Sequence, residues 1–138
     1  AGAAGWQREE LVTLEANLDD MAPEGVAHAL QQLLAGGARD AWAVPAVMKK
    51  GRPGVVVSVL CEPGQVEPLA DVMFRETTTL GLRVGGCQRL SLPRRLLAVA
   101  TPWGPVRVKV AEAGGELYNL KPEYDDCARL AREAGVPL

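Results

Sequence analysis

The sequence predicts an α+β fold, an α/β sandwich built on a ferredoxin-like split βαβ unit over residues ~10–85, followed by a β-hairpin and a C-terminal helix. Three observations carry that expectation. Apolar residues alternate over Val12, Leu14, Ala16 and Leu18, which is the period of a half-buried strand. An apolar stripe at helical spacing follows, on Val26, Ala29, Leu30, Leu33 and Leu34. Further runs then continue the order to β-α-β-β-α-β, the order of a split βαβ unit.

Each element has its own signals. Pro23 suits the first turn of the first helix, and Gly36-Gly37 closes it. Trp42, Val44, Ala46 and Met48 share one face of a second strand. "KKGRPG", Lys49 to Gly54, is a turn, and "VVVSVLCE" a buried strand behind it. A second helix fits Gln65 to about Glu76, with Val66, Leu69, Ala70, Val72 and Met73 inward. "TTTLGLRV" then returns to a strand. Beyond residue 85, "LLAVATPWGPVRVKVAEA" reads as two strands about a Pro102-Trp103-Gly104-Pro105 turn. Tyr118 to Lys121 is read as a connection, and Pro122 as the start of a last helix with Cys127, Leu130, Ala131 and Ala134 inward. Residues 1–9 read as a flexible lead-in, and residues 10–138 as one domain made of the 10–85 unit and an 86–138 hairpin plus helix.

Composition narrows the function. The 138 residues are 48% hydrophobic and 23% charged, enough apolar material for a core without disulfides. No apolar run reaches the ~18–20 residues of a membrane span, and no secretory signal is present, so no membrane partner is expected. A net charge of −2 and a single Phe provide neither field nor platform for nucleic acid. Eleven of the fifteen cations are Arg, whose planar fork suits carboxylate and phosphate partners. Cys61, Cys87 and Cys127 are widely spaced and odd in number, which reads as reduced, mostly buried small residues in a cytoplasmic protein. His28, the one histidine, reads as a surface residue, and no Ser-His-Asp or soft-metal cluster can be drawn.

Three stretches carry more polar chemistry than structure requires. In "LEANLDDMAPEG", Glu15, Asn17 and Asp19 project from one face of a strand, and Asp20 follows at a helix entrance. They are either a helix cap at Asp20 with solvated neighbours, or hard oxygen ligands for Mg²⁺ or Mn²⁺. In "MKKGRPG", Gly51 and Gly54 let backbone N–H groups approach an anion while Lys49, Lys50 and Arg52 supply charge; a plain solvated turn is the alternative. In "RETTTLGLR", Thr77, Thr78 and Thr79 are hydroxyls for phosphate or ribose oxygens between Glu76 and Arg83, or simply the end of a helix. Arg107 and Lys109 alternate on the hairpin as ordinary solvated charge.

Together, "EANLDDMAPE", "MKKGRPG", "FRETTTLGLR" and "VKVAEAGGELYNLKPEYDDCARLA" resemble the signature blocks of the C-terminal domain of the LarC family, in the right order over roughly residues 13–137. Proteins of that family insert nickel into the pyridinium bisthiocarboxylate mononucleotide that becomes the nickel-pincer cofactor of lactate racemase. The resemblance implies a domain that binds CTP with Mn²⁺ or Mg²⁺ and joins a homo-oligomer, trimer or hexamer. It also implies an N-terminal domain as partner, the expected place of the nickel ligands, and CTP hydrolysis by the full-length enzyme. With it, Lys49, Lys50, Gly51, Arg52, Thr77, Thr78, Thr79 and Arg83 become nucleotide candidates, and Glu15, Asp19, Asp20 and Glu76 metal candidates. Ala16 and Ala22 stand where that pattern is expected to carry a hydroxyl. A purely structural oligomerising module is the alternative.

Overall fold

A computed structural model describes residues 5–138. Contacts divide the described residues into two compact units, residues 10–89 and residues 5–9 with 90–138.

In the first unit the elements run β1 (Gln7–Leu18), α1 (Pro23–Ala35), β2 (Asp40–Val47), β3 (Pro53–Cys61), α2 (Val66–Glu76) and β4 (Arg83–Ser91). The four strands form a sheet in the order β2-β3-β1-β4. β3 is antiparallel to both β1 and β2, so β1 and β2 run the same way with β3 inserted between them. The alternation seen in the sequence sets the core face. Leu14, Ala16 and Leu18 of β1 join Val57, Val59 and Cys61 of β3 beneath Val26 and Leu33 of α1 and Leu69 and Met73 of α2. Full burial of each large aliphatic side chain contributes about 1.5–3 kcal/mol. The odd-numbered residues of β1, including Glu15 and Asn17, therefore face away from the helices.

The second unit holds β5 (Arg94–Thr101), β6 (Gly104–Ala113), β7 (Glu116–Pro122) and α3 (Tyr124–Ala134). The strands pair antiparallel in that order, with a bulge at Ala111/Glu112. Leu130 of α3 is buried, and α3 ends at Gly135, whose φ of 67° is the left-handed cap conformation glycine adopts without strain.

Several boundaries differ from the sequence expectation. Residues 1–4 of the expected lead-in lie outside the described residues, while Gln7–Glu9 already belong to β1. Residues 77–82 are not strand, and β4 starts at Arg83, because Thr77 and Thr79 bond the local backbone. Residues 118–121 lie within β7, joined to β6 by Gly114-Gly115 with φ of 58° and 81°, the positive-φ pair of a tight hairpin turn. Pro122 ends β7 instead of opening the helix, and Ala134 is exposed. Trp42 and Val44 lie on the outer face of β2, 38% and 49% exposed, while Ala41 and Ala43 pack toward the core. All three cysteines are free thiols, and only Cys61 is buried. Among the described residues no helix is long and apolar enough to cross a membrane.

Candidate functional site

Sheet register assembles the site. Leu18, the last residue of β1, lies opposite Val55, so the chain leaves β1 beside the first residues of β3. Val47, the last residue of β2, lies opposite Pro53, so the turn at residues 48–52 closes at that same end. Gly54 permits the close fit: a Cβ there would collide with the Leu18 carbonyl oxygen. The acidic junction and the basic turn are thus brought together by backbone pairing alone.

The turn is short and strained. Lys49–Gly51 form one 3-10 turn, in which Arg52 N–H donates to the Lys49 carbonyl at 3.3 Å, and Met48 N–H donates to the Arg52 carbonyl at 2.7 Å across its base. Lys50 has φ 60°, and among the described residues no other non-glycine has positive φ. A left-handed lysine costs on the order of 1–3 kcal/mol and persists where its surroundings or its function hold it there. Asn17, Asp19, Met48, Lys49, Lys50 and Arg52 line an open hollow of about 590 Å³, inside the range of about 300–1,000 Å³ typical of small-molecule sites. Its charge is three exposed cations against one carboxylate. Arg52 Nη1 stands 3.8 Å from Asp19 Oδ2.

The remaining expected site residues do not line this hollow. Thr78 donates its hydroxyl to Asp20 Oδ1 at 2.6 Å, and Arg83 Nη2 donates to Asn17 Oδ1 at 2.9 Å. Both bonds tie the segment after α2 onto the acidic junction. Thr77 donates to the Met73 carbonyl and Thr79 to that of Gly81, so these hydroxyls serve the helix end and the loop. Glu76 pairs with His28 of α1 at 3.3 Å, and Glu15 sits opposite Ser58 inside the sheet. Gly51 has φ 72°, carrying the turn back toward β3. Asp20 is not the helix cap: the N-cap of α1 is Ala22, with no side-chain bond to the helix.

No three His, Cys, Asp or Glu side chains gather into a metal cage among the described residues. A hard divalent cation held here would have Asp19 as its one protein carboxylate, with its remaining ligands drawn from water or a bound anion. The sequence grouped Asn17 with Glu15 and Asp19 as oxygen groups on one strand face, but Asn17 was not among the nucleotide or metal candidates, although that shared face was a usable signal. It gave no sign of the left-handed Lys50.

Outside this site, two charges read from sequence as solvated are paired. Asp126 of α3 accepts from the Arg107 backbone N–H, from Nε and from Nη2, each at 2.9 Å. These hydrogen bonds, with the guanidinium charge, hold the Asp126 carboxyl down at about 2. Lys109 reaches Glu123 at 3.2 Å.

Comparison with known proteins gives a consistent set of relatives. The family model described as nickel insertion protein matches residues 1–138. A putative nickel insertion protein of Myxococcus xanthus is 49% identical over 130 residues, covering 94% of this chain and 33% of that protein. A pyridinium-3,5-bisthiocarboxylic acid mononucleotide nickel insertion protein of Thermotoga sp. (strain RQ2) is 38% identical, covering 92% and 32%. The chain spans about a third of the length of the curated relatives it matches. Among solved structures, it is similar to LarC2, the C-terminal domain of a cyclometallase involved in the synthesis of the NPN cofactor of lactate racemase, in apo form. The TM-score is 0.89 at 40% identity, covering 95% of this chain and 90% of that one. A protein from Methanopyrus kandleri AV19 follows at TM-score 0.75 and 32% identity, covering 98% and 84%.

Proposed function

Because the chain belongs to the nickel insertion protein family, we propose that it is the C-terminal domain of a CTP-dependent nickel insertase that matures the nickel-pincer nucleotide cofactor of lactate racemase. Its own task in this reading is to bind CTP with Mn²⁺ or Mg²⁺ and to join protomers into an oligomer. The observation that carries the reading is the hollow where Lys49, Lys50 and Arg52 meet Asp19. A triphosphate carries up to about four negative charges and is held by cations and backbone N–H groups at close range.

Lys49, Lys50 and Arg52 hold the phosphates, and the tight turn keeps their spacing fixed before the ligand arrives. Asp19 takes the divalent ion, which when bound neutralises phosphate charge. Asp20 and Asn17, held by Thr78 and Arg83, keep the junction in shape. Glu76 pairs with His28, and neither Glu15 nor Glu76 lines the hollow, so we assign them no role at the ion. Nickel is the cargo of the full-length reaction, and we place its ligands in the part of the protein outside this chain. The full-length enzyme hydrolyses CTP in the cytoplasm in this account, and the isolated domain has little insertion activity of its own.

Electron density from crystals soaked in CTP and Mn²⁺ tests the site. Phosphates between Lys49, Lys50 and Arg52, with the ion at Asp19, are expected; ordered nucleotide bound elsewhere on the domain refutes it.

A second reading, an oligomerising module with no nucleotide site, draws on Leu96, Leu97, Leu117, Tyr118 and Leu120. These residues of β5 and β7 are 44–57% exposed and suit burial against another copy. Light scattering separates the two readings: an oligomer that forms equally with and without CTP, on a chain that does not bind CTP, supports the second.

A further inference from the structure

We propose that Asn17 is a ligand residue of the hollow, donating its amide N–H₂ to a phosphate oxygen, and that Arg83 is the positioning residue that aims it. The inference rests on reading the hollow as the triphosphate site.

A carboxamide has an acceptor end and a donor end. The acceptor end of Asn17 is committed, because Oδ1 takes the hydrogen bond from Arg83 Nη2 at 2.9 Å. What remains is Nδ2, with two donors and no acceptor. Asn17 lines the hollow beside Asp19 and the cationic turn, whereas Arg83 does not line it. Arg83 therefore reaches the ligand through Asn17, and the hollow receives a neutral donor.

The position makes the choice of an amide meaningful. Residues 17 and 19 share one face of the strand and its extension, so their side chains border the same space. A second carboxylate at 17 would repel phosphate and would still pair with Arg83. An amide instead adds a hydrogen bond to the anion without adding charge beside the cation carried at Asp19. Two neighbouring positions fix the whole edge: Thr78, in the loop after α2, holds Asp20, and Arg83, the first residue of β4, holds Asn17. That gives the hydroxyl- and arginine-bearing stretch a defined task one layer behind the ligand.

The test is calorimetric titration of CTP with Mn²⁺ into the full chain, for wild type, Asn17→Asp, Asn17→Ala, Arg83→Ala, Arg83→Lys and the Asn17→Ala/Arg83→Ala double variant. Thermal melting checks that each is folded. Asn17→Ala should weaken binding about three- to tenfold, the range of one lost hydrogen bond, and Asn17→Asp by more. Arg83→Ala should match Asn17→Ala and add nothing in the double variant, while Arg83→Lys, which keeps a donor, recovers most of the affinity. The salt dependence of binding should be unchanged in Arg83→Ala and reduced in Lys50→Ala. If Asn17→Asp binds like wild type, the role of Asn17 is overturned while the site stands. If Arg83→Ala weakens binding further in the Asn17→Ala background and lowers the salt dependence, Arg83 is itself a ligand residue and the positioning role is overturned. A wild-type chain that binds no CTP overturns the triphosphate reading and this inference with it.

Discussion

The Asp19 carboxylate faces the Arg52 guanidinium across 3.8 Å, at the end of the sheet where β1 leaves off and β3 begins. The two side chains belong to opposite halves of the proposed chemistry, one for the cation and one for the phosphates. Held loosely against each other, with the Arg52 side chain 60% and the Asp19 side chain 33% exposed, they form a pair that a bound ligand separates at little cost, since solvent-accessible ion pairs are worth about 0.2–1 kcal/mol. Arg52→Ala should therefore act with opposite signs on two ligands. Binding of CTP weakens, while binding of Mn²⁺ alone strengthens by about two- to fivefold because Asp19 loses its competitor. Electron paramagnetic resonance of unbound Mn²⁺ reads the second effect directly.

Lys50 combines a charge with a left-handed backbone, and the two can be pulled apart. Asparagine tolerates that conformation better than other non-glycine residues. Lys50→Asn should leave thermal stability unchanged or raised by up to about 1 kcal/mol, and still weaken CTP binding. A loss of stability beyond that would mean the lysine stem packs against something the turn needs.

Acid sensitivity should be traceable to Asp126. Its carboxyl titrates at about 2 in the fold against 3.8 ordinarily, held down by the Arg107 hydrogen bonds. The unfolded chain therefore takes up this proton first as pH falls. The pair's stabilisation is complete above about pH 4 and is lost between about pH 4 and 2. Asp126→Asn should melt lower at pH 7, and its stability should change less across that acid window than wild type. Denaturant titrations at pH 7, 4 and 2.5 check both parts.

The first helix begins without a cap. Ala22 occupies the N-cap with extended φ/ψ and no side-chain bond to the first turn. Ala22→Ser should stabilise the domain by about 0.5–2 kcal/mol, measured as a rise in the urea midpoint with an unchanged slope.

How far the sequence could be read depended on which interactions set each element. Alternation over Val12 to Leu18 and the stripe from Val26 to Leu33 report burial, so they located β1, α1 and the core face, whereas Leu34, expected on the same stripe, is 48% exposed at the end of α1. The turn at Lys49–Arg52 and its meeting with Asp19 follow from antiparallel register, once β3 is placed between β1 and β2. The segment from Thr77 to Leu82 misled because β-branched residues favour strands, whereas these threonines bond nearby backbone and shape a loop. Gly114-Gly115 was a legible hairpin signal, and missing it turned β7 into a connection. Side-chain partnerships over long separations, such as Thr78 with Asp20 and Arg83 with Asn17, had no local pattern to announce them. The same is true of Asp126, whose partner is nineteen residues away.

The central claim is that the basic turn and Asp19 form one metal–triphosphate site, and titration calorimetry of CTP in Mn²⁺ tests it most directly. Wild type should bind. Lys50→Ala should bind about tenfold or more weakly, the loss of a charge-assisted contact of about 1.5–3 kcal/mol. Asp19→Ala should lose most of the dependence on Mn²⁺. Affinity and Mn²⁺ dependence unchanged from wild type in both variants would contradict the account.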